Sequence, residues 1–430
     1  MLIEFKVANF RSIREEQTFS LVAGKAHKEL AANVIDRELP GLSGVRVLKG
    51  AAIFGANASG KSNMVAAMRF VTGFVQRSAT VIQPGDSTGV EPFKLDRESS
   101  AKPSEFEVTF VSRGVRFVFG FAATSTRVLE EYLIAYPKGA PQRWYHRTFN
   151  SEKGLYEWAK PSTAFKHDRS LQDKTRENGL FLSVGPQFNH PQLTEVFNWF
   201  KNSARFILLN PEARMYSQFS VEMLMKPPHY ERIIGLLRSA DLGVAGANIV
   251  QKDFEVEVFK KTFTEAALVQ LEKKGSLRPG QLVEVSLTHQ AEGKEPVALD
   301  FDAEESAGTR RFFALLGPWI DILENGHTVF VDEIEISLHP VLVKELLKLV
   351  FNNQSNPKGA QVIFTTHNPI LLDGSLMRRD QVWFTEKSAA GATQLYPLTD
   401  YQPRNDEALA KGYLAGRYGA IPFLPEGLKL

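Results

Sequence analysis

Cysteine is missing altogether, so neither a disulfide nor a thiolate metal site can form, and the 9 histidines are scattered rather than spaced as ligand pairs. Long apolar runs are missing too. The richest stretch, RFFALLGPWIDIL, is broken by Pro318 and Asp321 and falls short of the about 18 residues that suggest a membrane span. Charge of one sign is also lacking: 51 basic residues against 49 acidic ones leave +2. That balance gives no general pull toward nucleic acid or anionic lipid, so DNA or RNA would have to be met by a local patch. The opening MLIEFKVANFRSI has neither the apolar core nor the small-residue cleavage site of a signal peptide. The expectation is a cytoplasmic protein with no membrane partner.

What is present is an ordinary globular composition, 43% hydrophobic and 23% charged over 430 residues, with room for more than one domain. Leu2 to Ala8 alternates like a strand, and VRVLKGAAIF, Val45 to Phe54, reads as a buried strand ending at a glycine-rich turn. Beyond the turn Met64, Met68, Val71 and Val75 recur at helical spacing, so a helix begins near Gly60. FEVTFV and VRFVFGF flank Ser112-Arg113-Gly114 as an antiparallel hairpin, with a third strand over Leu129 to Tyr136. From Pro161 to Ser276 the pattern is mixed and mostly helical, with turns at Gly179, Gly185-Pro186 and Pro227-Pro228, and reads as an inserted lobe.

Leu282 to Thr288 and Pro296 to Phe301 form another hairpin, which leads into ESAGTRRF. The helix that follows carries Phe312, Leu315, Leu316, Trp319 and Leu323 on one face; Pro318 should kink or shorten it, and Gly326 should end it. HTVFVDE, a helix with Leu342, Leu346 and Leu349 on one side, and AQVIFTTH follow, and strand, helix, strand implies a parallel crossover. QVWFTEKSAAGATQLYPL reads as a last hairpin before the tail KGYLAGRYGAIPFL. The expected organisation is an α/β head in two halves, 1–100 and 277–430, an antiparallel β subdomain over 101–160, and a mostly helical lobe over 161–276.

The most specific motif is GANASGKS, from Gly55 to Ser62. It fits the phosphate-loop pattern, in which glycines let successive N–H groups point at phosphates from a helix N-terminus. Gly55, Asn57, Ser59, Gly60 and the following Asn63 are expected to line the loop, Lys61 to reach the outer phosphates and Ser62 to hold Mg2+. Each charge-assisted contact is worth about 1.5–3 kcal/mol.

In TVFVDEIE an apolar strand ends in two carboxylates. At the ligand-binding end of a parallel sheet, Asp332 would hold the metal through its water shell and Glu333 would polarise the attacking water. A plain acidic strand cap is the alternative. Glu335 reads first as a solvated loop residue and only second as a catalytic one. Ser306 to Phe312, SAGTRRF, opens a helix and is either a second anion-binding turn or an ordinary serine cap. His367, at the end of VIFTT, is structural on its own, but a parallel strand would bring it to the same rim as Asp332 and Glu333.

In this order the motifs resemble the ABC-type ATPase heads of the RecF, SMC and OLD group, and most closely the AAA-labelled ATPases of bacterial phage-defence loci, RloA-like and AriA-like. The resemblance covers about 1–75 and 280–430. It implies a P-loop fold of ABC type, with ANFRSI as the opening strand and Arg11 as a phosphate-side contact. SAGTRR then stands as the signature motif, Ser306 and Gly308 meeting the γ-phosphate held by a second protomer. DEIEISLHP stands as Walker B and the segment after it, TTHNPILL as the switch-histidine motif with His367 as γ-phosphate sensor, and RYGAIPFL as a defence-branch tail.

The signature reads ESAGT rather than LSGGQ, which argues against a transporter; Gln83 is a candidate Q-loop residue; no SMC-like heptad arm is visible. The stretch after His367 is too short for an OLD-type nuclease domain, so an effector is expected on a separate chain. The expected function is a Mg2+-dependent ATPase, a homodimer or higher homo-oligomer that closes around ATP and controls a nuclease or toxin in anti-phage defence. The rival is a RecF/SMC-type repair ATPase that clamps DNA. For it, Lys166, Arg169, Lys174 and Arg176 form a basic stripe, or else a solvated loop interleaved with Asp168 and Asp173.

Overall fold

A computed structural model describes residues 1–38, 44–207, 213–253, 281–291, 295–404 and 407–422. In chain order the first elements are β1 (Leu2–Ala8), β2 (Gln17–Ser20), β3 (Val34–Ile35), β4 (Val47–Leu48), β5 (Gly50–Gly55), α1 (Lys61–Arg77) and α2 (Arg97–Ala101). Then come β6 (Ser104–Ser112), β7 (Val115–Ala123), β8 (Val128–Tyr136), β9 (Gln142–Asn150), β10 (Leu155–Trp158), α3 (Arg169–Asp173), α4 (Phe181–Gln187), α5 (Pro191–Asn198) and β11 (Ala204–Ile207). The middle holds α6 (Ala213–Leu224), α7 (Pro227–Ser239), β12 (Val244–Asp253), β13 (Gln281–His289), β14 (Val297–Asp300) and α8 (Ala307–Asn325). The chain closes with β15 (Thr328–Val331), α9 (Pro340–Phe351), β16 (Gln361–Thr366), β17 (Val382–Lys387), β18 (Thr393–Pro397) and α10 (Leu409–Leu414).

The chain divides into two compact units, one of Met1–Ile207, Ile322–Glu335 and Val343–Leu430, the other of Leu208–Asp321 and Ile336–Leu342. Within the first, an antiparallel sheet runs β10-β9-β8-β7-β6-β1-β2, and a second sheet runs β11-β15-β16-β5-β17-β18. All neighbours in the second are parallel except β17 and β18. Its central strands are buried at every position, as parallel strands covered on both faces must be. Helix α1 lays Phe74 and Phe70 against Phe121 and Phe106 of the antiparallel sheet, with ring centroids 5.2–6.5 Å apart. Gln361, fully buried on β16, exchanges hydrogen bonds with the Leu2 N–H (2.6 Å) and carbonyl (2.9 Å) and so ties β1 to the parallel sheet.

The stretch Val45 to Phe54 is not one strand. It divides at Lys49, because β4 pairs with β3 whereas β5 pairs with β16 and β17. The Lys49 ammonium is buried and reaches the Phe351 carbonyl at the end of α9 (3.3 Å) and Asn353 Oδ1 (2.5 Å). Burial pushes its pKa down to about 8.

The second unit carries the antiparallel sheet β12-β13-β14 together with α6, α7 and most of α8. Pro318 does not shorten α8, which continues to Asn325, and Gly326 follows at φ 69. Proline has no N–H for the carbonyl four residues earlier. That carbonyl, on Ala314, instead accepts from Ser220 Oγ of α6 (3.1 Å), and the same oxygen accepts the Gly317 N–H (3.0 Å). A side chain from a neighbouring helix thus satisfies the groups that proline would orphan.

Of the expected lobe 161–276, α3 to α5 and β11 lie in the first unit and α6, α7 and β12 in the second. The part over 208–212 and 254–276, like the last residues of the RYGAIPFL tail, lies outside the described residues.

Candidate functional site

Four parallel strands deliver their C-terminal ends to one rim of the first unit. The register sets Gly55 beside Thr385, Phe54 beside Thr366, and Val331 beside Phe364, so the residues just beyond each strand emerge together. β5 turns at Gly55, where an added Cβ would lie 2.5 Å from the Thr385 carbonyl and 2.6 Å from Ser59 Oγ. Gly60, at φ 108, has no room for a Cβ either, since one would sit 2.0 Å from Thr393 Oγ1.

The turn is held from β17 and β18. Ser59 Oγ meets Thr385 Oγ1 at 2.7 Å, and Thr393 Oγ1 donates to the Ser59 carbonyl at 2.9 Å. Asn57 is exposed, whereas Asn63 donates to Ser12 Oγ (2.5 Å), itself 2.8 Å from Thr393 Oγ1. Helix α1 opens at Gly60 with no side-chain cap and no acid in its first turn. The Asn63 N–H turns back to the Gly60 carbonyl (2.9 Å), and the N–H groups of Lys61 and Ser62 and the positive end of the dipole are left for an external anion.

Lys61 is buried, its ammonium donating to the carbonyls of Gly55 (2.7 Å) and Ala56 (2.9 Å). Burial lowers its pKa, and the charges of Glu333, Glu335 and Asp332 oppose that shift. Ser62 Oγ donates to Asp332 Oδ1 at 3.0 Å. No group of three or more acidic or histidine side chains able to hold a metal occurs among the described residues. The hydroxyl and carboxylate pair still suits Mg2+, which keeps most of its shell as water and phosphate oxygens and takes one or two protein ligands.

Two threonine and glutamate contacts fasten the acidic turn to β16. Thr365 Oγ1 donates to Asp332 Oδ1 (2.6 Å) and accepts the Glu333 N–H (2.7 Å). Glu333 sits at φ 51, a left-handed conformation costing about 1–2 kcal/mol that this bond helps to hold. Glu335 is not a solvated loop residue: its side chain is only 7% exposed. Its Oε1 accepts the His367 N–H at 2.8 Å and lies 3.0 Å from His367 Nδ1. The His367 ring is 56% exposed at the rim.

The structure therefore gathers Gly55, Ser59, Gly60, Lys61, Ser62, Asp332, Glu333 and His367 at one place. Arg11 pairs with Glu91 at 3.1 Å and lines a cleft of about 450 Å³ with Phe93, Lys94 and Lys387. The Gln83 side chain donates to the Thr80 and Val81 carbonyls, and its N–H to Asp86 Oδ2 (2.7 Å). Ser306 and Gly308 belong to the other unit, where Ser306 caps α8 by accepting the Thr309 N–H at 3.0 Å and is itself exposed. Gly308 has the Ser337 carbonyl 3.4 Å from where a Cβ would stand. In the basic stripe, Arg176 is engaged by the carbonyls of Ser78 and Ala79 and Lys174 by the Phe188 ring, while Asp168 caps α3. Thr365, Thr385 and Thr393 went unnoticed in the sequence, where threonine in an apolar run signals only a strand.

No helix among the described residues is long and apolar enough to cross a membrane. No curated protein matches the chain. Among solved structures it is similar to an SMC head bound to the C-winged helix domain of ScpA, with a TM-score of 0.41 and 14% identity over 92% of this chain and 96% of that one. It is also similar to the recombination mediator protein RecF with ATP, in the RecFOR pathway, with a TM-score of 0.36 and 12% identity over 92% of this chain and 99% of that one. A protein-family profile matches residues 51–373, from the strand that feeds the phosphate loop to the turn beyond His367, and the chain, with its α/β P-loop NTPase fold, accordingly belongs to the family described as "AAA domain, putative AbiEii toxin, Type IV TA system".

Proposed function

We propose that this chain is a cytoplasmic Mg2+-dependent ATP hydrolase that dimerises around nucleotide and controls a separate effector, a nuclease or toxin, in anti-phage defence. The observation that carries the ATPase reading is the approach of Ser62 to Asp332 at 3.0 Å, beside an uncapped helix start and a buried lysine. In this reading Lys61 and the loop N–H groups of Gly55 to Asn63 hold the phosphates, and Ser62 and Asp332 hold the metal. Bound Mg2+ supplies charge neutralisation at the phosphate oxygens. Glu333 takes the proton of the attacking water, and His367 donates to the γ-phosphate. Ser306 and Gly308 of a second copy close the site, with Arg11 on the phosphate side. The effector reading draws support from the family's description, which names a toxin of a toxin–antitoxin system.

Glu333→Gln tests the chemistry. The variant should bind ATP as the parent does and turn it over about 10²–10⁴ times more slowly. Wild-type turnover in that variant would remove Glu333 from the base role, and GTP turned over as well as ATP would overturn the choice of nucleotide.

A further inference from the structure

Glu335 is the most buried carboxylate near the rim, and the proposed chemistry does not use it. Its Oε1 takes the His367 backbone N–H at 2.8 Å, which fixes where β16 ends. The same oxygen lies 3.0 Å from the ring nitrogen Nδ1. The contact has ion-pair distance without the alignment of a hydrogen bond, and at that distance the carboxylate charge favours a proton on Nδ1 over a bare lone pair. Its other oxygen, Oε2, is buried and has no hydrogen-bond partner among the described residues. An unpaired buried acceptor is expensive and tends to survive where function keeps it.

We propose that Glu335 is the positioning residue of His367: it holds the imidazole at the rim with the proton on Nδ1 and leaves Nε2 as the nitrogen that meets the substrate. The inference rests on the ATPase reading for its consequence but not for its geometry. With the proton held on Nδ1, Nε2 is the nitrogen that takes a second proton, and when it carries one it donates to a phosphate oxygen. The loop after β15 and the tip of β16 thereby become one device, so that the acid and the imidazole keep their spacing.

Two variants separate this role from simple packing. Glu335→Gln keeps an oxygen for the His367 N–H, whereas Glu335→Met matches the volume and removes both acceptors. Nitrogen-15 NMR of the nucleotide-free protein, with the His367 signal assigned by its loss in His367→Asn, reads the ring directly. The proton should sit on Nδ1 in the wild type and in Glu335→Gln, and move toward Nε2 in Glu335→Met. ATP turnover should fall roughly 10- to 100-fold in Glu335→Met with little change in ATP affinity, and far less in Glu335→Gln. In the His367→Asn background Glu335→Met should cost less than it does in the wild type, because the part that acts through the ring cannot be lost twice.

An Nε2–H ring in the wild type, an unmoved proton in Glu335→Met, or full additivity in the double variant would each overturn the proposal. If the wild type hydrolyses no ATP while the ring signals behave as described, the ATPase reading fails and the positioning role stands.

Discussion

A threonine hydroxyl has one proton to donate and lone pairs to receive with, and Thr365 uses both on the acidic turn. It donates to Asp332 and accepts from the Glu333 main chain, while fully buried on a strand. Valine has nearly its shape but neither capacity. Thr365→Val should therefore leave a buried N–H without an acceptor and a carboxylate free to turn, at a cost of about 1–3 kcal/mol in denaturant unfolding. The sharper effect should be on catalysis, a fall of roughly 10- to 100-fold in turnover with ATP binding largely kept. Thr365→Ser should restore most of it, since the hydroxyl returns. Turnover unchanged in the valine variant would show that the acidic turn holds its shape without this bond.

Among the elements, α8 shows how a neighbour rescues a helix from its own sequence. Gly317 and Pro318 would ordinarily interrupt it, but Ser220 of α6 supplies an acceptor to the Gly317 N–H and a donor to the Ala314 carbonyl. The approach is close: a Cβ on Gly317 would lie 2.6 Å from Ser220 Cα. Ser220→Ala should destabilise the second unit by about 1–3 kcal/mol, measured by thermal or chemical unfolding, because two buried backbone groups lose their partners. An unchanged unfolding midpoint would mean that water or a rearranged helix replaces the serine. Nothing local announces this serine, which is why a shortened helix is a fair reading of the sequence where α8 in fact runs on to Asn325. Strands such as Leu2 to Ala8 and the hairpin around Ser112-Arg113-Gly114 were legible because alternation and turn chemistry are local signals. The break at Lys49 was not, since it depends on which distant strands each half pairs with. At the site, the glycine-rich turn could be read from its strand and helix, whereas the burial of Glu335 follows from a contact to a residue 32 positions away.

For the whole molecule the question is whether a nucleotide site needs two copies of the chain. Net charge of +2 offers little repulsion against self-association. Lys61 lies in one compact unit and Ser306 in the other, and Ser306, which caps α8, keeps an exposed position at its start. If the sites are shared between copies, Lys61→Ala and Ser306→Arg proteins should each be inactive alone yet regain turnover when mixed. In a mixed dimer one site joins both damaged parts, while the other joins an intact Lys61 to an intact Ser306. With random pairing roughly a quarter of all sites recover, by the symmetry of a two-fold assembly. The gain should require ATP and should vanish on dilution below the dimer's dissociation constant. Were the site complete within one chain, the mixture would stay as inactive as its components at every concentration, and the second copy would have no part in the chemistry.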